Sequence, residues 1–230
     1  SYKEYLPMNS AIAFPTEKTD EIPSWTLARA MQNGWLWRIP TQSRFGNGYV
    51  FCDEFCSYDQ AVQEVEKLYG QEINVGRHVK FEAGCLEKFW FKNAAAVGLS
   101  SSFIEPLEAS SIGCSILQAA QLARLIQSYI PGHNNTFAEK NYNSFNNELL
   151  DNILEFVALH YVTKRTDTEF WKFTQTMKKP DSLIEKLELF EHKFPSLSEF
   201  TNRNIMFKEA NYIHVLHGLG LISKEVAQQT

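Results

Sequence analysis

The chain has 230 residues, 44% of them apolar and 21% charged, which is length enough for one or two domains and a sizeable core. A formal net charge of −5 with no block of Lys or Arg argues against a nucleic-acid surface, which needs a basic face to displace counterions from phosphate. No apolar run reaches the roughly 18 residues that span a membrane, and the amino terminus carries no signal-peptide stretch.

In chain order, residues 10–14, 26–31 and 35–39 are short, partly alternating runs that predict strands. Asn47-Gly48 between residues 43–45 and 49–51 predicts a tight hairpin turn, because such turns need positive φ at both central positions. Residues 59–69 place Ala61, Val62, Val65 and Leu68 on one stripe, predicting an amphipathic helix stopped by Gly70. Strands are expected again at 79–81, 86–91 and 94–97. Beyond Pro106 the pattern becomes helical: 110–130, stopped by Pro131-Gly132, then 137–161, with shorter helices at 169–177, 182–190, 197–200, 207–216 and 224–228. The expected division is a strand-rich part, residues 1–130, which includes the start of the first long helical region, and a helical part, residues 131–230.

Four cysteines, Cys52, Cys56, Cys85 and Cys114, have neither secreted-scaffold nor zinc-site spacing, so reduced thiols and a cytoplasmic location are expected. His214 and His217 share a predicted helix but lack a third ligand nearby, so no metal site is expected. Asp167 and Glu169 are expected to cap the helix through Trp171.

Two stretches carry chemistry. In Gly34-Trp35-Leu36-Trp37-Arg38-Ile39-Pro40 the two Trp side chains point to one face of a strand, either as ordinary core or as a wall beside a cofactor. The segment from Val97-Gly98-Leu99-Ser100-Ser101-Ser102 through Glu105-Pro106-Leu107-Glu108-Ala109-Ser110-Ser111 runs from a strand through a turn into a helix. Ser110 and Ser111 are good helix caps, and the free N–H groups of a first helical turn attract an anion. Glu108 either stabilises that helix end or supplies a carboxylate for proton transfer.

Taken together, WxWxIP and the Gly-Leu-small-small-small-Phe-x-Glu-Pro-Leu-Glu stretch resemble the tryptophan-halogenase family of flavin-dependent halogenases. Gly46-Asn47-Gly48-Tyr49-Val50 and His160-Tyr161 followed by Arg165-Thr166-Asp167-Thr168-Glu169-Phe170-Trp171 match it in the right order. The resemblance implies an α/β (α+β) flavin-monooxygenase-like fold, a strand-rich half followed by a mostly helical substrate cap. It implies an enzyme in which reduced FAD, oxygen and chloride or bromide form hypohalous acid, which halogenates an electron-rich, indole-type aromatic. A separate flavin reductase would supply the reduced FAD; neither nucleic acid nor membrane is an expected partner, and a homodimer is left open.

By the same resemblance Glu108 is the catalytic glutamate, and the backbone at Ser110 and Ser111 holds the halide. Gly98, Leu99, Ser100, Ser101 and Ser102 pass the flavin, and Trp35 and Trp37 wall it off from the organic substrate. Ala109 stands where many members have Ser, and Ser111 where Gly is common. No dinucleotide fingerprint is present, and the Gly46-Asn47-Gly48 stretch is not one, so the dinucleotide-binding segment is expected upstream of Ser1. None of Lys3, Lys18, Lys67, Lys80, Lys88 or Lys92 matches the family lysine. Asn211-Tyr212-Ile213 replaces a Ser-Trp pair of tryptophan-specific members, which argues against free tryptophan as substrate. The competing readings are a flavin monooxygenase of the same fold and a non-catalytic fragment.

Overall fold

A computed structural model describes residues 1–130 and 136–228. Strands β1 (Ser10–Thr16), β2 (Leu27–Ala30), β3 (Gly34–Pro40) and β4 (Phe45–Phe51) precede helix α1 (Tyr58–Tyr69) and strand β5 (Arg77–Lys80). Short strands β6 (Gly84–Cys85), β7 (Trp90–Phe91), β8 (Ala94–Ala95) and β9 (Ser102–Phe103) follow. Then come helices α2 (Ser111–Gln127), α3 (Thr136–Leu159), α4 (Glu169–Thr176), α5 (Asp181–Phe190), α6 (Glu209–Gly218) and α7 (Lys224–Ala227). Contacts divide the chain into two units: Pro7–Ala83 with Lys164–Met177, and Ser1–Leu6 with Gly84–Thr163 and Lys178–Thr230.

The first unit is built on an antiparallel sheet in the order β2-β3-β4-β1-β5. Strand side chains alternate, so Ile12, Phe14, Leu36, Tyr49 and Phe51 enter one core with Ala61 and Val65 of α1. Ser57 and Gln60 form a reciprocal cap at the start of α1, and left-handed Gly70 closes its end, donating to Glu66 O at 2.8 Å. Helix α4 returns to this unit, where Trp171 Nε1 donates to Met31 O at 2.8 Å. Its cap is Thr168, whose Oγ1 accepts from Trp171 N at 3.2 Å. Asp167 instead pairs with Arg165 at 2.6 Å and Glu169 with Lys172 at 2.7 Å, correcting the expected capping roles.

The expected hairpin turn at Asn47-Gly48 is absent. Both residues lie inside β4, with Gly48 opposite Trp37 on one side and Ala13 on the other. Asn47 is buried, donating to Thr16 Oγ1 at 2.9 Å and accepting from Tyr69 OH at 3.0 Å. Glycine is required there by space: a Cβ on Gly48 would fall 1.9 Å from Trp37 Cη2.

In the second unit the strands expected at 86–91 and 94–97 shrink to two-residue pairings. The backbone is satisfied by a helix side chain instead. Asn143 Oδ1 accepts from Phe89 N at 2.6 Å and Trp90 N at 3.0 Å, while its Nδ2 donates to Trp90 O at 3.0 Å. Thus one amide on α3 substitutes for a neighbouring strand. Helix α2 ends at Gln127, and the expected stop at Pro131-Gly132 lies outside the described residues. Among the described residues no helix is long and apolar enough to cross a membrane.

Candidate functional site

The segment 97–102 forms a 3-10 turn, Gly98–Ser100, that is tied to α2 and α3 by buried amides. Gly98 adopts φ +66°, and a Cβ there would meet Ser115 Oγ at 2.8 Å. Its N–H donates to Gln118 Oε1 at 2.7 Å, and Gln118 Nε2 donates to Asn146 Oδ1 at 2.7 Å and Ser101 Oγ at 2.9 Å. Ser101 donates to Gly98 O at 2.7 Å, while Leu99 is 74% exposed. Ser100 Oγ donates to Val97 O at 2.8 Å and Ser102 pairs with Cys85, so Gly98, Ser100, Ser101 and Ser102 are held by backbone geometry or hydrogen bonds while Leu99 is exposed. Gln118 and Asn146 were missed by sequence reasoning. The signal available was weak: each is an amide among apolar residues at helical spacing, and a buried amide must find partners, but α3 buries Asn152 and Glu155 as well.

A second 3-10 turn, Pro106–Glu108, leads to α2 through Ala109, which stands at φ 49° and ψ 30°. A non-glycine residue in this left-handed region costs about 1–2 kcal/mol, and strain of this kind gathers at functional turns. Glu105, at the start of the turn, is fully buried and accepts the hydroxyl proton of Tyr161. Glu108 is partly open, and its Oε1 lies 2.8 Å from His160 Nε2. His160 Nδ1 in turn lies 2.9 Å from Phe156 O. The His160-Tyr161 pair and the Glu-Pro-Leu-Glu stretch therefore meet in space, a pairing that local sequence patterns do not reveal.

Ser110, expected to cap α2, makes no side-chain cap; its carbonyl accepts from Cys114 N at 2.8 Å. The first-turn N–H groups of this 17-residue helix are therefore not occupied by a capping side chain. Beside them is a recess of about 10 Å³ lined by Gly98, Ser102, Ser110, Ser111, Cys114 and Ile153, among others. That is about the room for one water-sized particle. Burial pushes the Cys114 thiol up to about 11, so at neutral pH the sulfur beside the recess carries no negative charge. Both residues proposed from sequence for the anion, and two of the five proposed for the cofactor, line this recess. Glu108 does not.

The Trp pair belongs to the sheet unit. Trp35 is 5% exposed and Trp37 partly so, with ring centroids 5.8 Å apart and planes at 49°. They share a strand face, as their spacing predicts, while Leu36 between them enters the opposite core. Tyr212 of the Asn211-Tyr212-Ile213 stretch is buried and donates to Glu155, which Lys186 approaches at 2.9 Å. Among the described residues no three metal-binding side chains converge, at His214 and His217 or elsewhere.

The family described as tryptophan halogenase matches residues 1–230. The tryptophan 6-halogenase SttH of Streptomyces toxytricini is 33% identical over 228 residues, covering 96% of this chain and 43% of the relative. The tryptophan 7-halogenase RebH of Lentzea aerocolonigenes is 30% identical, covering 95% of this chain and 44% of its own length. Among solved structures, SttH aligns with a TM-score of 0.87 at 32% identity, over 99% of this chain and 46% of that one. A tryptophan halogenase from Shewanella frigidimarina gives 0.89 at 27% identity, over 97% and 44%. The chain spans less than half the length of these relatives. With that match over all 230 residues and the mixed α/β fold in common, the chain belongs to the tryptophan halogenase family.

Proposed function

We propose that the protein carrying this chain is an FAD-dependent halogenase that places chlorine or bromine on an electron-rich, indole-type aromatic ring. The observation that carries this reading is the open amino end of α2, where Ser110 and Ser111 line a recess for one small particle, two residues beyond Glu108. Free N–H groups, the helix dipole and an uncharged thiol together suit a halide ion. Gly98 and Ser102 line the same recess, so the 98–102 backbone lies beside the position offered to the halide.

With FAD bound in reduced form, oxygen, halide and a proton would yield oxidised FAD, hypohalous acid and water. The residues of this chain act around that chemistry. Gly98 through Ser102 border the flavin, Ser110 and Ser111 hold the halide with backbone N–H groups, and Trp35 and Trp37 keep the substrate from the flavin. Glu108 has Oε1 engaged by His160, and its Oε2 makes no hydrogen bond among the described residues. That oxygen accepts the ring proton as the carbon–halogen bond forms and hydroxide leaves the hypohalous acid; passing the proton on to that hydroxide gives water and restores the carboxylate. A diffusible flavin reductase supplies the reduced cofactor. A cytoplasmic location accords with four cysteines that form no disulfide.

The test uses the whole protein that carries this chain, with a flavin reductase, NADH, FAD and an indole, with and without bromide. Mass spectrometry should find a brominated product that depends on bromide. Halide-independent hydroxylation would overturn the reading in favour of a monooxygenase.

A further inference from the structure

The two rungs between the Pro106–Glu108 turn and the end of α3 differ in kind. Glu105 to Tyr161 is buried and needs only a hydroxyl donor. Glu108 to His160 is partly open, with side chains 28% and 20% exposed, and joins a carboxyl group to an imidazole.

The hydrogen-bond geometry fixes how many protons the open rung holds. A carbonyl oxygen can only accept, so the 2.9 Å contact with Phe156 O requires a hydrogen on His160 Nδ1. A neutral imidazole of that tautomer would turn its Nε2 lone pair toward Glu108 Oε1 at 2.8 Å. Against an ionised carboxylate that contact is repulsive. One proton must therefore lie between Nε2 and Oε1. His160 follows Leu159, the last residue of the 24-residue helix α3, where the helix dipole favours a cation. The imidazole thus holds Glu108 through one shared proton, with Oε1 occupied and Oε2 the oxygen left to act.

We propose that His160 is the positioning residue for Glu108: it fixes the side chain by one oxygen, so that the other oxygen is turned to take a proton. The proposal rests on the acid–base role assigned to Glu108 above and adds the residue that enables it.

A pair of isosteric variants separates this role from simple helix capping. In His160→Asn the amide can reach Phe156 O in place of Nδ1 but not Glu108; in His160→Gln it can reach Glu108 in place of Nε2 but not Phe156 O. In the whole protein, H160N should lower kcat for bromination about 10- to 100-fold, the scale of a misplaced proton-transfer group, with KM for the indole little changed. H160Q should stay within about fivefold of the unmutated protein. In an E108Q background H160N should add less than about a twofold further loss, because residues that act as a unit are not additive. Normal bromination by H160N, equal losses in both variants, or full additivity with E108Q would overturn the proposal. If H160N does not fold, H160Q decides alone: a loss above about tenfold at an unchanged melting temperature counts against it. Absence of any halogenated product from the unmutated protein would instead overturn the parent reading, and this one with it.

Discussion

The indole of Trp37 lies over Gly48 on the neighbouring strand, so close that a methyl group there would overlap ring carbons at 1.9 and 2.0 Å. Gly48 is held in register on both sides, by Trp37 of β3 and Ala13 of β1, so its backbone cannot yield. Gly48→Ala should push the Trp37 ring out of its place, at a cost of about 1–3 kcal/mol for overpacking. Denaturant unfolding measures the loss, and a shift in indole emission reports the displaced ring. Unchanged stability and emission would contradict the packing described. If the Trp pair shields the flavin, the same variant should also oxidise reduced flavin unproductively at a higher rate.

Gly98→Ala meets two obstacles that can be separated. Left-handed backbone costs a residue with a Cβ about 1–2 kcal/mol, and the Ser115 hydroxyl stands 2.8 Å from where that Cβ would be. Adding Ser115→Ala removes the hydroxyl and should recover the steric part, leaving the backbone cost. Equal stabilities of G98A and the double variant would mean that Ser115 does not limit the turn.

Glu108→Gln keeps the side chain's shape and removes the proposed proton acceptor. Bromination in the whole protein should fall on the order of 100-fold or more, the usual contribution of a positioned acid–base group. Reoxidation of reduced flavin, followed by absorbance, should change little. A near-normal halogenation rate would take Glu108 out of the reaction.

Two thiols predict an alkaline sensitivity. Burial raises Cys56 to about 12 and Cys114 to about 11, from an ordinary value of 9.0. Below pH 9 both the folded and unfolded chains keep these protons. Above it the unfolded chain releases them first and the folded chain does not, so stability falls as pH rises toward the folded values. Between pH 9 and 10 the two together should cost about 2 kcal/mol. Cys56→Ala should make the decline in unfolding free energy over that interval shallower, and an identical slope would count against the assignment.

Much of the fold was legible wherever local chemistry decided it. The helix from Tyr58 to Tyr69 follows from its apolar stripe and from Gly70, and the Trp pair follows from the two-residue period of a strand. Asn47-Gly48 misled because glycine has two uses, positive φ and lack of volume, and only the partner strand shows which applies. The strands expected at 86–97 failed for a related reason: their pairing groups went to Asn143, more than fifty positions away. Within the candidate site, Glu108, Ser110 and Ser111 stand out in a short window of sequence. His160 does not, since its pairing with Glu108 exists only once α3 has brought the end of a long helix back to the turn.

The chain passes between its two compact units four times, after Leu6, Ala83, Thr163 and Met177. No single cut therefore frees either unit whole. A chimaera made by exchanging everything beyond residue 131 for a relative's sequence would also exchange Phe170 and Trp171, both buried in the sheet unit. The incoming segment would then have to supply a substitute for the Trp171 hydrogen bond to Met31 O. A graft in two pieces, one ending at Thr163 and the other starting at Lys178, leaves Lys164–Met177 native and keeps the sheet unit's own sequence together. Those two borders, rather than the visible change from strand to helix, are where a relative's sequence should be joined.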